Sequence, residues 1–483
     1  MRQVSIKKNI VMNALLTISS LVFPLITFPY VSRILSPSGT GKVSFAVSVI
    51  SYFSLFAQLG IPTYGVRACA KVRDNKEELT RTAHELLAVN IVMDFISYLA
   101  LLIALLYVPR LQDERTLYVI VSATIILTSI GMEWLYKALE QYTYITVRSI
   151  IFKFIALVFM FLLIHEKQDY IIYGALSIFA ASASNILNFI NAHKYISFKP
   201  VGKYNFRRHL KPVFIFFSMS CATTIYGNLD SVMLGFIKTD IDVGYYGAAV
   251  KVKNILVGIV TSLGSVLMPR ASYFIEQGKI ADFNRITEKA IRFVCVVSIP
   301  LLVFFAIFSK ESILILSGKE FQGAIIPMAV IMPTLVLIGL SNILGLQILV
   351  PIGKEKAVLY SEIGGAIANL FFNSILIPSF AATGAAIGTV IAESVVLIIQ
   401  SYYLRNDLRR LFGGTRIWII ALCCIASSIC SIWTKILNIN IFIVMCLSAI
   451  LFFGVYVLGM IIAKDPITYE IIESVKIKIK RSH

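Results

Sequence analysis

The sequence predicts an all-α integral membrane protein, and three observations lead to that prediction. Hydrophobic side chains make up 58% of the 483 residues and charged side chains only 14%, whereas soluble domains are about half apolar and a quarter charged. The mean hydropathy of +0.83 indicates that the apolar excess extends through the whole chain. Apolar runs of about 20 residues, enough for a helix to cross a bilayer, recur along it. This composition excludes a cytosolic enzyme and a disordered chain.

About fourteen apolar segments are predicted to be transmembrane helices. They cover approximately residues 10–32, 42–64, 86–108, 116–137, 147–165, 170–192, 212–237, 243–268, 291–309, 323–350, 357–377, 383–405, 415–434 and 441–463. An even number of spans places both termini on the same side of the membrane.

The distribution of basic residues predicts the orientation of these spans. If both termini are cytoplasmic, most of the 44 Lys and Arg residues fall in cytoplasmic segments, as the positive-inside rule requires. The basic runs Arg67–Arg73, Lys203–Lys211 and Lys476–Arg481 then lie at the inner leaflet, where anionic lipids attract cations. Membrane lipids, and not nucleic acid, are therefore the predicted partners of these runs.

The sequence contains no pattern typical of an enzyme or a metal site. Seven cysteines and five histidines are too few and too scattered for a disulfide framework or metal coordination. The outward loops are short and leave no room for an extracellular catalytic domain. We therefore expect no extracellular catalytic domain and no cofactor, with coupling to protons or sodium ions left open.

Six predicted spans carry polar or small residues at helical spacing, and four of these stripes contain an ionisable residue. The candidate residues on the stripes are Asp94, Asn188, Asp230, Lys251, Asn254 and Glu362. A single stripe is equally well explained by close helix packing. Because a charge inside the bilayer is costly unless it faces water or a partner, the stripes together predict a central water-accessible cavity.

Asp230 and Lys251 are the strongest candidates for a site within this cavity. Their positions in spans seven and eight place them about 10 and 12 Å from the outer surface. Consecutive helices joined by a short turn are usually neighbours, so an ion pair is expected. A purely structural pair remains an open alternative to a role in gating or substrate binding.

Other charged residues are candidates for substrate binding or coupling. Glu393 lies near the middle of span twelve and, like Asp94 and Glu362, is able either to carry a coupling ion or to bond a neighbouring helix. Arg33 closes span one at the outer edge, where an arginine often extends to lipid headgroups. Arg67 lies at the cytoplasmic end of span two.

Several segments resemble the bacterial polysaccharide repeat-unit flippases of the Wzx type, over essentially the whole chain. These segments are Phe23–Leu35, Gly39–Ala46, Leu59–Arg67, Gly227–Gly235, Val243–Ala249 and Gly345–Lys354. The family belongs to the multidrug/oligosaccharidyl-lipid/polysaccharide exporter superfamily. Each pattern is loose, and the specificity comes from their order along the spans.

The resemblance implies two six-helix lobes, 1–192 and 212–405, around a central cavity. A basic cytoplasmic linker at 193–211, two further helices within 406–463 and a basic cytoplasmic tail at 464–483 complete this organisation. The implied activity is transfer of undecaprenyl-pyrophosphate-linked oligosaccharide to the outer leaflet of the bacterial cytoplasmic membrane for capsule, O-antigen or exopolysaccharide synthesis. Glycosyltransferases and a polysaccharide polymerase are the implied partners.

Three alternatives remain open at this point. A cation-coupled multidrug exporter of the same superfamily would typically have twelve spans, and the last two predicted spans argue against it. A membrane polysaccharide polymerase would be expected to carry a large outward catalytic loop. A peptidoglycan lipid-precursor flippase shares the chemistry of the substrate and is not separated by the sequence.

Overall fold

The computed structural model describes residues 6–465, apart from a few side chains within helices. In that range every regular element is a helix, and helix makes up 87% of the structure. The predicted all-α class is therefore confirmed. The chain forms two compact units, one up to Gly244 and one from Tyr245 onward.

Ten α-helices lie in the part of the first unit that the structure describes, before the start of α11. They are α1 (Ile6–Gln58), α2 (Ile61–Lys71), α3 (Lys76–Tyr107), α4 (Pro109–Gln112), α5 (Arg115–Gly131), α6 (Glu133–Ala138), α7 (Tyr142–Leu163), α8 (Tyr170–Ile178), α9 (Asn185–Asn191) and α10 (Arg207–Ile237). A π-helical segment, Phe179–Ala183, joins α8 to α9. Short 3₁₀ segments occupy Lys167–Asp169 and Ala192–Lys194.

The remaining nine α-helices continue the chain and, after the first turn of α11, belong to the second unit. They are α11 (Asp240–Glu276), α12 (Ile280–Ile307), α13 (Ser309–Ser317), α14 (Ile325–Ile331), α15 (Thr334–Asn342), α16 (Glu355–Tyr403), α17 (Leu408–Gly413), α18 (Ile417–Ile432) and α19 (Ile441–Ile462). A π-helical segment follows α15 at Ile343–Leu349, and 3₁₀ segments lie at Lys319–Ala324 and Trp433–Ile436.

The apolar helices establish a multi-pass membrane protein. Ten helices within the described residues are long and apolar enough to cross a bilayer, or twelve if each of two bent pairs forms one span. Two of the long helices contain a break, at Ser36 in α1 and at Ala381 in α16. The exact count of fourteen spans and the cytoplasmic position of the termini stay predictions.

The turns predicted between spans one and two, and between spans eleven and twelve, are replaced by these breaks. Ser36 has a φ of 61° and Ala381 a φ of 47°, in the region that L-residues rarely adopt. Pro37 follows Ser36 directly and offers no N–H donor to a continuous helix. A single residue therefore breaks the helix where the sequence predicted a loop.

Several helices begin earlier than their apolar segments because hydropathy detects only the part inside the lipid. Helix α3 begins at Lys76 instead of residue 86, and α12 at Ile280 instead of residue 291. The Asn75 side chain caps α3 by accepting from the N–H groups of Glu77 and Glu78, both at 3.1 Å. Such caps stabilise a polar first turn.

Part of the predicted linker, 193–211, is attached to α3. Helix α10 already begins at Arg207. The Ser197 carbonyl lies 2.7 Å from His84 Nε2, and the Asn205 N–H donates to Glu85 at 2.6 Å. The predicted lobe boundaries themselves stay a prediction, and the tail from residue 466 onward lies outside the described residues.

Candidate functional site

A cavity of about 490 Å³ lies within the first unit. Its walls come from the second half of α1, from α5, from the end of α8 with the π-helical segment, and from the middle of α10. The polar residues that line it are Ser51, Ser54, Gln58, Thr124, Ser220, Thr224 and Asn228. We refer to this space as the polar cavity.

Helical periodicity explains why these residues share one space. Residues 47, 50, 51, 54, 55 and 58 follow one face of α1, and residues 220, 224 and 228 follow one face of α10. The Ser51 hydroxyl donates to the Val47 carbonyl at 2.8 Å, so its oxygen still has acceptor capacity. Among the described residues that line the cavity none is charged, and hydroxyl and amide side chains alternate with apolar ones, so it suits a neutral guest that carries hydroxyl groups.

Two irregular helical segments border the polar cavity. Ala181, which lines it, belongs to the π-helical segment. Helix α10 bends by 50° between Arg207–Ser218 and Thr223–Ile237, and residues 220 and 224 lie at that bend. Such departures from the α-helical ladder are common where a helix lines a functional space.

A second space of about 410 Å³, which we call the basic cleft, lies between α2 and the start of α10. It is lined by Tyr64, Arg67, Ala68, Lys71, Lys211, Pro212, Ile215 and Phe216. The first four residues recur at i, i+3, i+4 and i+7 and so share one face of α2. The other four share one face of α10.

The three cations of the basic cleft are available to a ligand. The side chains of Arg67, Lys71 and Lys211 are exposed. Within residues 6–465 none of them forms an ion pair or a side-chain hydrogen bond. Neighbouring Arg208 differs, because it pairs with both Glu78 and Glu85.

A buried polar network fixes the wall of the basic cleft. The Tyr64 hydroxyl lies 2.8 Å from His209 Nδ1, and His209 Nε2 lies 2.6 Å from the Glu85 carboxylate. Glu85 is fully buried and also accepts from Arg208 Nε at 2.8 Å and from the Asn205 N–H. Because every donor converges on one carboxylate, α2, α3 and α10 are held together at this point.

Gly60 separates the basic cleft from the polar cavity. It lines the cavity, and its φ of +72° suits glycine. A Cβ there would collide with the main chain of Phe216 and Phe217 on α10. The cavity and the cleft therefore follow one another along the same pair of chain segments, on either side of this close backbone contact.

The predicted site residues of the first unit occupy different surroundings. Arg67 lies in the basic cleft, whereas exposed Arg33 donates to the Pro29 carbonyl of its own helix. Asp94 is buried and accepts from the Ser129 hydroxyl at 2.8 Å. Asn188 is fully buried outside the polar cavity, and within the described residues its amide has no hydrogen-bond partner.

The charged pair predicted at the membrane interior is divided between the two units. Asp230 is buried on α10, two residues beyond the cavity-lining Asn228. Lys251 is half-buried on α11 and belongs to the second unit. The ion pair between them stays a prediction.

The other predicted residues of the second unit also remain hypotheses. Asn254 is exposed on α11, Glu362 is half-buried on α16, and Glu393 is buried on the same helix. One turn before Glu393, the Thr389 hydroxyl lies 3.0 Å from the Tyr246 hydroxyl. This contact fixes α11 to α16 inside the second unit.

Sequence reasoning missed the network residues Glu85 and His209 and the role of span two in the polar cavity. Lys211 ends a basic run that the sequence shows, but nothing in the sequence indicates that this run lies next to α2. The Ser51, Ser54 and Gln58 stripe was detectable by spacing alone.

Comparison with known protein families gives two matches. A family model described as polysaccharide biosynthesis protein matches residues 6–275. A second model, MatE, matches residues 215–375. The first match covers more than half of the chain.

Individual proteins are similar to different shares of the chain. A candidate O-antigen transporter of Escherichia coli (strain K12) is 25% identical over 84% of this chain and 98% of its own length. A probable low-salt glycan biosynthesis flippase of Haloferax volcanii is 24% identical over 38% of each chain. The names of these relatives describe transport and not catalysis.

A solved structure is similar in fold. The lipid II flippase MurJ, in an inward closed conformation, superposes with a TM-score of 0.76 over 95% of this chain and 100% of its own. Its sequence is only 16% identical, so the likeness concerns the fold alone.

Proposed function

We propose, from the premise that this chain belongs to the polysaccharide biosynthesis protein family, that it is a flippase for lipid-linked oligosaccharides. Its substrate would be an oligosaccharide repeat unit on undecaprenyl pyrophosphate, moved from the inner to the outer leaflet of the bacterial cytoplasmic membrane. The names of the relatives, an O-antigen transporter and a glycan flippase, support this substrate class. Capsule, O-antigen and exopolysaccharide pathways would all use such a step.

The polar cavity is the observation on which the proposal rests. A sugar hydroxyl that leaves water without a hydrogen-bond partner costs about 1–3 kcal/mol, so an oligosaccharide needs partners along its whole path. Hydroxyl and amide side chains from α1, α5 and α10 supply them. A volume of about 490 Å³ lies within the range of small-molecule sites, roughly 300–1,000 Å³.

The prenyl chain and the charge of the head determine how the rest of the substrate would move. The prenyl chain remains in the lipid while the head passes through the protein. An inside-negative membrane potential favours outward movement of the anionic head by about 2.3 kcal/mol per charge per 100 mV. Transport therefore has a driving force even if no ion is cotransported with the substrate.

Alternating access is the proposed mechanism, with residues 1–192 rocking against 212–405. Lys251 would supply positive charge to the pyrophosphate, with Asp230 as its partner when substrate is absent. If a proton or sodium ion is coupled to transport, Glu393, Asp94 and Glu362 are the proposed carriers. Glycosyltransferases would supply the substrate on the inner face, and a polymerase would consume it on the outer face.

Reconstituted transport tests the proposal. Proteoliposomes containing the full chain are assayed with a fluorescent lipid-linked repeat unit, with lipid II and with a cationic dye, in separate reactions. We expect movement of the repeat unit alone. Movement of lipid II would favour the peptidoglycan-precursor alternative, and movement of the dye would favour the multidrug exporter.

A matched pair of variants tests the cavity itself. Ser51→Leu places an apolar side chain in the polar cavity, while Ser374→Leu makes the same change at an exposed position of α16. We expect the first variant to slow repeat-unit transport at least about tenfold, the effect of roughly 1.4 kcal/mol, and the second to leave it unchanged. Equal rates for the two variants would contradict a path through the cavity.

A further inference from the structure

The basic cleft has a graded composition from one end to the other. Lys71 ends α2, and Lys211 lies near the start of α10, so these cations and Arg67 occupy the end where both helices meet the predicted cytoplasmic surface. Tyr64, near the start of α2, and Phe216 on α10 lie further from that end, with ring centroids 6.1 Å apart. Seven residues of helix separate Tyr64 from Lys71, which is about 10 Å.

This gradient matches an amphiphile of the inner leaflet. A phosphate-bearing headgroup would meet the three cations, while the first carbons of its chain would lie against Ala68, Ile215 and Phe216. Positive charges with no carboxylate partner are expected to attract such a headgroup. The Tyr64 hydroxyl lies 2.8 Å from His209 Nδ1, a contact that fixes the Tyr64 side chain in the wall of the cleft.

The number of cations favours a diphosphate over a monophosphate head. A lipid diphosphate that carries a sugar has two negative charges, whereas phosphatidylglycerol has one. Three cations within one cleft match the two charges of the diphosphate more closely than the single charge of phosphatidylglycerol. Guanidinium and ammonium groups both form strong hydrogen bonds with phosphate oxygens.

We propose that the basic cleft is a loading site for the lipid-linked substrate. Arg67, Lys71 and Lys211 bind its diphosphate head there before the sugars enter the polar cavity. This inference rests on the proposed function. The polar cavity begins beyond the contact between Gly60 and α10, so the sugars attached to a head held in the cleft would lie next to the cavity. The cleft selects the charged part of the substrate, and the cavity receives the neutral sugars.

Binding to the purified full chain tests the loading site. The probe is undecaprenyl pyrophosphate, with phosphatidylglycerol and inorganic pyrophosphate as competitors, and bound lipid is counted by native mass spectrometry. The cleft variant is Arg67→Gln/Lys71→Gln/Lys211→Gln. The control variant, Lys194→Gln/Lys203→Gln/Arg207→Gln, removes the same charge from exposed positions of the same surface outside the cleft.

We expect the cleft variant to bind the probe at least about tenfold more weakly than the wild type, and the control variant to stay within about twofold. Equal loss in both variants would overturn the proposal, since it would indicate attraction to the whole basic surface. Equal competition by phosphatidylglycerol would assign the cleft to ordinary anionic lipid, and equal competition by inorganic pyrophosphate would assign it to a free anion. Either result also overturns it.

Two further measurements keep the test decisive. If the triple variant does not fold, Lys211→Gln alone is used, and a loss of about threefold or more is expected; unchanged binding would again refute the site. Transport by the same preparations separates the two proposals. Cleft-dependent binding without transport by the wild type would refute the flippase function only, whereas normal binding and transport by the cleft variant would refute the loading site only.

Discussion

Replacement of Glu85 by Gln is expected to destabilise the first unit because Glu85 is the common acceptor of a buried network. Its carboxylate is fully buried and accepts from Asn205 N at 2.6 Å, Arg208 Nε at 2.8 Å and His209 Nε2 at 2.6 Å. An amide keeps the shape but loses the charge, and its NH₂ group would face other donors.

The size of the effect follows from these three bonds. A hydrogen bond to a charged group contributes about 1.5–3 kcal/mol and a neutral one about 0.5–1.5 kcal/mol, so each bond loses about 1 kcal/mol. The Arg208 side chain is 34% exposed, which reduces its share through solvent screening. We therefore expect a loss of about 2–3 kcal/mol, equivalent to a fall in unfolding temperature of about 4–12 °C for a unit of this size.

The measurement is thermal unfolding of the purified chain in detergent, at one scan rate for all variants. Glu77→Gln is the matched control, because Glu77 is 68% exposed and pairs with Arg81 at 3.4 Å within the same helix. We expect that control to lose less than about 0.5 kcal/mol. If Glu85→Gln unfolds at the same temperature as Glu77→Gln, the stabilising role of the network is refuted.

Three other predictions concern topology, packing and transport. A reporter enzyme that works only outside the cytoplasm should be active when fused near Asp113 and inactive near Tyr204; activity at the second position would reverse the orientation. Gly41→Ala should lower the unfolding temperature, because a Cβ there would collide with the main chain at the start of α11, whereas Gly227→Ala meets nothing within 4 Å and should be neutral or stabilising by up to about 1 kcal/mol. Similar temperatures for both alanine variants would contradict the close approach at Gly41. Lys251→Ala should abolish transport while the protein still inserts, and Lys251→Arg should retain part of the activity; normal polysaccharide export by the alanine variant would exclude a role in substrate binding.

The break at Ser36 in α1 illustrates how far a pattern in the sequence can be followed. The apolar segments on either side of Ser36 were predictable, because lipid requires continuous apolar runs. Their junction was not, because a loop and a one-residue break at φ 61° have the same composition. The Lys42–Glu114 pair at 2.5 Å joins residues far apart in sequence, so it was equally inaccessible to spacing arguments.

The sequence by itself determined the all-helical membrane class, the polar faces of individual helices and the clusters of basic residues. These features follow from local composition and from the 3.6-residue period, which fixes the face on which a side chain lies. The period does not determine which face of a neighbouring helix that side chain contacts. Asn188, on one of the predicted polar stripes, is fully buried and is not among the residues that line the polar cavity.

Only the tertiary structure decided which faces meet. Arg67 and Lys211 are distant in sequence, and the cleft between them exists because Gly60 lets α10 approach the chain closely. Two residues that line the polar cavity, Ser220 and Thr224, likewise lie at the 50° bend of α10. The three donors around buried Glu85 hold the same helices together. The desolvation free energy of this carboxylate is offset only when all three donors bond to it. No local sequence pattern marks the residues of this network. The meeting of the three donors at Glu85 is therefore determined only by how the chain packs.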